Sequence, residues 1–303
     1  MIPKVLAVMG PTACGKSSLA MWLATQIEGG SEIISADSAQ VYIGPDIGTA
    51  KPSAEDMALV PHHLIDICHL NKQFSLANFQ ELATAAVHDI ASRGRLPIIV
   101  GGTGLYLRGF LEGYALTESA PDPKLREYLN SLSSDELLKI LQEKDPQTYT
   151  QVDHCNKRRI VRALEIILQT GQQLSQTVRR IKPNLNVFKL GINLDRQELY
   201  QRIDKRLQAM LSKGWLEEVK RLKSNGWEAD LRRLRILGYT ELLDHLRGDC
   251  TLEEAVERIR LATHRYAKRQ QTWLRREPDL HEFNTESDCR ERIMERLDEW
   301  LAS

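Results

Sequence analysis

The residues from Gly10 to Ser17, Gly10-Pro11-Thr12-Ala13-Cys14-Gly15-Lys16-Ser17, have the types and spacing of a phosphate-binding loop, G-x-x-x-x-G-K-[ST]. Glycines let backbone N–H groups turn inward around phosphate oxygens, a following helix points its positive end at them, and Lys16 adds a mobile charge. The Ser17 hydroxyl is placed to serve Mg²⁺, which prefers oxygen ligands and keeps several waters. A diphosphate or triphosphate is the expected ligand. The next chemically competent residue is Asp37, in Ile34-Ser35-Ala36-Asp37-Ser38-Ala39-Gln40. Just past the end of a strand, it is either a general base beside the phosphate loop or a plain Asx-turn residue. Where an ordinary phosphate-loop nucleoside triphosphatase carries a magnesium-holding aspartate, this chain has Gly101-Gly102-Thr103. That substitution is the first sign that the loop does not perform routine ATP chemistry.

These residues need elements to hold them. Lys4 to Met9 and Leu96 to Val100 read as buried strands and Glu32 to Ser35 as a short one. Helical spacing of Leu76, Phe79, Leu82, Ala83, Ala86, Val87 and Ile90, with Ser75 as N-cap and Gly94 as stop, predicts a helix between the second and third of them. The alternation predicts an α/β fold, a parallel sheet flanked by helices whose ligand crevice lies along the carboxyl ends of the strands. The phosphate loop, Asp37 and Thr103 then share one rim. The segment through Gly48-Thr49-Ala50-Lys51-Pro52 and Pro61-His62-His63 reads as a long irregular connection.

The character changes near Gly113. Ser119-Ala120-Pro121-Asp122-Pro123 reads as a linker, followed by helices alone until a strand from about Val187. Residues 114–183 are therefore expected to form an all-helical insertion between core segments 1–113 and 184–303. Ser133 and Glu136 form a capping box there. In a helix from about Asn156 to Gln169, Ile160, Val161, Leu164, Ile167 and Leu168 cover one face and Arg158, Arg159 and Arg162 the other. Beyond the returning strand, Asp195 and Glu198 cap a helix carrying Arg202 and Arg206, which read equally well as an exposed salt-bridge ladder. A helix from Trp215 to Ser224 and the polar stretch Arg232 to Tyr239 lead to a long helix opened by Thr251 and Glu254. From Arg258 to Arg276 this last segment holds no acidic residue. In a chain with 41 basic and 41 acidic residues, such segregation suits a polyanion, although a basic helix can also be merely solvated. The charged residues from Glu282 suggest only a closing helix.

Composition narrows the classes. Net charge is zero and 42% of the 303 residues are hydrophobic, as in an ordinary globular protein of one or two domains. The five cysteines, Cys14, Cys68, Cys155, Cys250 and Cys289, form no C-x-x-C pair, which speaks against a zinc site or a disulfide framework. No apolar run is long enough to cross a membrane. A cytoplasmic protein without membrane partners is expected.

With these pieces assembled, the chain resembles the bacterial tRNA dimethylallyltransferases, also called tRNA isopentenyltransferases. The matching residues are Gly10 to Ser17, Ile34 to Tyr42, Asp46 to Pro52, Pro61-His62-His63, Val100 to Tyr106, Arg162-Ala163-Leu164-Glu165, Leu237-Gly238-Tyr239 and Ala267 to Trp273. They span about nine tenths of the chain in order. Cys14 stands where the family often has Ser or Ala, and Ser17 where Thr is common. The resemblance implies transfer of a dimethylallyl group from dimethylallyl diphosphate to N6 of the adenine 3′-adjacent to the anticodon. It implies Asp37 as base, Thr103 as a positioning group, and Lys16, Arg206 and Mg²⁺ as stabilisers of the leaving diphosphate. It further implies tRNA contacts from Asp37, Ser38, Ala39, Gln40 and Thr103, from Arg126, Arg158, Arg159, Ile160, Val161 and Arg162, and from Ile236, Leu237, Gly238, Tyr239, Thr240 and Glu241. A monomer is expected. The rival reading is a small-molecule or nucleotide kinase, which shares the strand, the phosphate loop and a helical insertion; Gly101-Gly102-Thr103 and the basic tracts count against it.

Overall fold

Strand β1 (Lys4–Met9) is fully buried from Val5 to Met9, as befits a strand covered by helices on both faces. A computed structural model describes residues 2–114, 122–177, 181–283 and 289–303. After β1 come α1 (Lys16–Gln26), β2 (Ser31–Ser35), α2 (Ala54–Leu59), β3 (His62–His63), α3 (Leu76–Ser92), β4 (Leu96–Gly101) and α4 (Gly104–Glu112). Helices α5 (Pro123–Ser131), α6 (Ser134–Lys144), α7 (Pro146–Gln151), α8 (Lys157–Thr170) and α9 (Leu174–Thr177) follow. The chain returns as β5 (Asn186–Ile192), α10 (Arg196–Ser212), α11 (Trp215–Ser224), α12 (Glu228–Leu234), α13 (Tyr239–Arg247), α14 (Leu252–Leu274), β6 (Leu280–Phe283) and α15 (Cys289–Ala302).

The chain divides into two compact units, Met1–Phe110 with Asn184–Ser303, and Leu111–Pro183. In the first, six parallel strands run in the order β3-β2-β4-β1-β5-β6. Because β2, β4 and β1 are neighbours and run parallel, the turns after all three open at the same end of the sheet. One apolar cluster packs α1, α10, α14 and α15 on the strands, with Leu23, Ile98, Leu190, Leu199, Ala267 and Leu297 buried. A second gathers Val41, Tyr42, Trp215, Val219, Tyr239, Leu242 and Ile259. The other unit is all-helical, with its own core of Leu129, Leu137, Leu141, Ile160, Val161, Leu164 and Ile167.

Local signals account for the helix starts. Ser75, Ser133 and Thr251 each accept from the backbone N–H three residues on, and the side chain of that residue returns a bond to the cap N–H. Four features differ from the sequence expectation. His62-His63 pairs in parallel with Ile33-Ile34, so the irregular connection contains a two-residue strand and the short helix α2, neither long enough to carry a periodicity. Strand β6 pairs with β5 and runs into the residues from Glu282 for which only a closing helix was expected. The stretch Arg232 to Tyr239 is the junction of two helices, broken by Arg235 (φ 53°) and Gly238 (φ 91°). Leu168 is exposed rather than part of the α8 core face. The expected linker residues Ser119, Ala120 and Pro121 lie outside the described residues; Asp122 caps α5, with Pro123 as its first residue.

Candidate active site

Lys16 is the first residue of α1, reached through Gly15 in the left-handed region (φ 93°), a conformation that glycine adopts without strain. Its ammonium donates to Pro11 O at 3.3 Å. Gly10 is needed for space: a Cβ there would lie 2.6 Å from Cys14 Sγ. Cys14 is buried and burial pushes its thiol up, so it packs the loop as a neutral group. An open cavity of about 320 Å³ lies over the loop, lined by Ala13, Gly15, Lys16, Ser17 and Ser18 and by Arg202, Lys205 and Arg206 from α10. That volume suits a small phosphorylated ligand. Burial pulls the Lys16 ammonium and the Arg206 guanidinium below their ordinary values; Arg206 adds repulsion at Lys16, and Asp37 is the carboxylate that counters both. Two half-buried cations therefore face one acid across an open cavity, and a bound polyanion would restore the balance.

Asp37 carries out the turn role and keeps something in reserve. Its Oδ1 accepts from Ala39 N at 2.8 Å and Gln40 N at 3.4 Å, while among the described residues no donor bonds Oδ2. Thr103 Oγ1 accepts from Ser38 N at 3.3 Å, which joins the turn after β4 to the turn after β2. Burial and the nearby Asp37 push the hydroxyl of Tyr266, on α14, up to about 12, so it stays protonated at neutral pH. At the end of β4 a side chain would not fit. A Cβ at Gly101 would lie 2.3 Å from Ala36 O, and one at Gly102 2.3 Å from Gln270 Nε2, so no acidic side chain could stand at either position.

The donor set fits Mg²⁺ in a limited way. Ser17 and Ser18 line the cavity, and among the described residues no three His, Cys, Asp or Glu cluster to make a metal cage. An ion held mainly by phosphate oxygens and water, with one protein hydroxyl, matches Mg²⁺ chemistry.

Several residues expected at a tRNA surface are committed inside the units. Gln40 Oε1 accepts from Ser35 Oγ at 2.8 Å, and its Nε2 donates to Thr49 O and Ala50 O at 3.2 and 3.0 Å. Tyr239 is fully buried and its hydroxyl donates to Glu218 Oε1 at 2.6 Å. Glu218 also accepts from Asp46 N, Ile47 N and Gly48 N, at 2.9, 2.7 and 3.3 Å. A Cβ at Gly48 or Gly238 would lie 2.1 or 2.2 Å from Trp215. The stretches Asp46 to Pro52 and Ile236 to Glu241 thus meet around Glu218 and Trp215, and brace the loop that follows Asp37. Ile236 and Gly238 are buried, Leu237 and Thr240 half-buried, and Glu241 accepts from Gly238 N at 3.1 Å. Ser38 is exposed and Ala39 half-buried.

In the helical unit Arg158 and Arg159 are exposed, whereas Ile160 and Val161 belong to the core. Arg126 and Arg162 each hold the fully buried carboxylate of Glu165 at 2.7 Å. Part of the basic helix α14 is also paired: Arg260 binds Glu257 at 2.7 Å, and His264 and Asp204 meet at 2.8 Å. Sequence reasoning missed Glu218, Tyr266 and Gln270 as supports of the site. The available signal was the adjacent pair Gln270-Gln271 inside an otherwise basic helix, both almost fully buried.

Comparison with known proteins agrees with this geometry. Residues 40–277 match the IPP transferase family model. The chain is 46% identical over 282 residues to tRNA dimethylallyltransferase 1 of Citrifermentans bemidjiense, covering 92% of this chain and 91% of that one. Among solved structures it is similar to the full-length tRNA isopentenylpyrophosphate transferase of Bacillus halodurans (TM-score 0.73, 38% identity, 99% and 98% of the two chains). It is also similar to a eukaryotic dimethylallyltransferase acting on tRNA (TM-score 0.82, 28% identity, 94% and 74% of the two chains). A phosphate loop without the magnesium-holding aspartate, a carboxylate with one uncommitted oxygen beside it, and a match over most of the chain lead to one conclusion: the chain belongs to the IPP transferase family.

Proposed function

We propose that the chain transfers a dimethylallyl group from dimethylallyl diphosphate to N6 of the adenine 3′-adjacent to the anticodon of a tRNA. The observation that carries this reading is the meeting of Lys16 and Arg206 in one cavity over the phosphate loop, countered by an aspartate that retains an uncommitted oxygen. The phosphate loop binds the diphosphate of the donor, so the magnesium-holding aspartate of a triphosphate-cleaving loop is not needed. As the allylic C–O bond breaks, its electron pair passes to the departing diphosphate oxygen, where Lys16 and Arg206 meet the growing charge. The adenine N6 attacks the allylic carbon, and Asp37 Oδ2 takes the proton that N6 loses. Thr103, anchored to Ser38 N, keeps the acceptor-side turn in register with Asp37. Mg²⁺, held by Ser17 and the diphosphate oxygens, would supply further neutralisation of the leaving group.

The adenine has to leave its stack to reach Asp37, at a cost of a few kcal/mol recovered through backbone contacts. Exposed Arg158 and Arg159 are the contacts this reading relies on in the helical unit. No helix among the described residues is long and apolar enough to cross a membrane, and the reading takes the chain as a cytoplasmic monomer. The test supplies unmodified tRNA with dimethylallyl diphosphate labelled in the alkyl group and, in parallel, with ATP labelled in the γ-phosphate. Alkyl label should reach the RNA while ATP stays intact. Phosphate transfer or ATP hydrolysis without alkyl transfer would establish a kinase or ATPase instead.

A further inference from the structure

We infer that Gln270 is a positioning residue that locks the donor-binding loop to the acceptor-side turn. It rests on reading the phosphate loop as the donor site. Gln270 lies on α14 and is only 4% exposed. Its Oε1 accepts from Thr12 N, inside the phosphate loop, at 2.8 Å, and its Nε2 donates to Gly102 O at 2.7 Å. Gly102 immediately precedes Thr103, whose Oγ1 accepts from Ser38 N beside Asp37. One planar carboxamide therefore sets the spacing between the loop that carries Lys16 and the turn that faces Asp37.

The sequence reserves room for this bridge. A Cβ at Gly102 would lie 2.3 Å from Gln270 Nε2 and 2.8 Å from Gly10 O, so glycine is required for the carboxamide to reach both turns. Gln271 anchors the same part of α14 at a third strand end, donating to Leu194 O at 3.1 Å. The chemistry is equally restrictive. A buried bridge here must accept at one end and donate at the other while staying neutral beside a diphosphate. Glutamate would turn a second acceptor toward Gly102 O and add negative charge, and methionine would leave a buried N–H and a buried C=O unsatisfied. Because the Thr12 N–H is committed to Gln270, the loop's shape at that point is set by α14 as well as by its own glycines.

The test compares Gln270→Met and Gln270→Glu with the parent in single-turnover alkyl transfer at saturating tRNA, with melting curves to confirm folding. Gln270→Met should lose about ten- to a hundredfold in rate with tRNA affinity unchanged, since misplacing reacting groups by about 1 Å costs on that order. Gln270→Glu carries the sharper readout. Burial raises a carboxyl pKa, and the protonated form can again donate to Gly102 O. The ratio of its rate to the parent's should therefore climb about tenfold between about pH 8 and about pH 6. A merely structural role would lower the melting temperature without this pH-dependent recovery. A constant ratio, or a Gln270→Met rate within about threefold of the parent, would overturn the inference. If the parent itself transfers no alkyl label, it is the reading of the donor site that fails.

Discussion

Charged side chains at the phosphate loop and in the helical unit differ in how much of their bonding capacity the fold consumes. Around the loop, Lys16 and Arg206 are desolvated with Asp37 as the acid that counters them, and Asp37 keeps one oxygen uncommitted. In the helical unit, Arg126 and Arg162 converge on the buried Glu165, which also accepts from Asp122 N at 3.1 Å. The first arrangement is costly for the folded chain by itself and is suited to an anionic ligand. The second is an internal tie. Arginines of a matched motif can thus carry an internal ion pair while their side chains stay partly exposed, 37% for Arg126 and 39% for Arg162.

The largest expected effect is at Asp37. Asn preserves the size and the turn-forming acceptor but cannot take a proton, so Asp37→Asn should lower single-turnover transfer by about 10²–10⁴. Affinities for tRNA and donor should shift by less than about tenfold, because the fold survives. Near-parental transfer would reduce Asp37 to its Asx-turn role. Next, Lys16→Ala should raise the barrier by about 2–4 kcal/mol through loss of a desolvated cation on the leaving group. A rate within about threefold of the parent at saturating tRNA would remove the loop from catalysis.

The internal ties should show in stability instead. Glu165→Gln leaves two arginines without their counter-charge, and because both are partly exposed the expected loss is about 1–3 kcal/mol, read by chemical denaturation of the full chain. Donor affinity should stay within about twofold of the parent; a large loss of donor binding would blur the distinction between the regions. Two carboxylates make the same point by pH. Hydrogen bonds from Arg93, with His63 and Arg95, bring Glu32 from 4.5 to about 2. At Asp145 burial pushes upward, but bonds from Thr148 and Ser175 outweigh it and bring the group from 3.8 to about 2. Depressed pKa values contribute stability above the unfolded value that is lost as pH falls through the folded one. Stability should therefore decline below about pH 5 toward about pH 2, and Glu32→Gln or Asp145→Asn should flatten that slope. The smallest effect is on salt dependence: Arg158→Ala with Arg159→Ala should reduce the slope of log tRNA affinity against log salt by about 0.7–0.9 per lost phosphate contact. An unaltered slope means that this pair is only solvated.

Local patterns carried much of the fold. β1, the N-cap at Ser75, the capping boxes at Ser133 and Thr251, and the span of α11 were legible because continuous apolar runs and cap residues act over a few positions. The phosphate loop was legible for the same reason. β3 and β6 were not, since two and four residues carry too little pattern and their pairing is set by neighbours distant in sequence. The supports of the site were hidden in the same way. Glu218 gathers the N–H groups of Asp46, Ile47 and Gly48 and the Tyr239 hydroxyl from far along the chain, and Gln270 reaches Thr12 and Gly102 across the sheet edge. Tyr239, read as a tRNA contact, is buried and bonded to Glu218 twenty-one positions away, a partner that no local pattern announces.

The measurement that bears most directly on the difference between the two regions is the shift in melting temperature caused by dimethylallyl diphosphate with Mg²⁺. It compares the parent, Lys16→Ala with Arg206→Ala, and Arg126→Ala with Arg162→Ala. A ligand that binds the native state at about 100 times its Kd adds about 2.7 kcal/mol of stability. The parent should show that rise, the Lys16/Arg206 variant should lose it, and the Arg126/Arg162 variant should start from a lower melting temperature yet rise by as much as the parent. An undiminished rise without Lys16 and Arg206, or its disappearance without Arg126 and Arg162, would contradict the assignment of the first pair to the donor and the second to the fold.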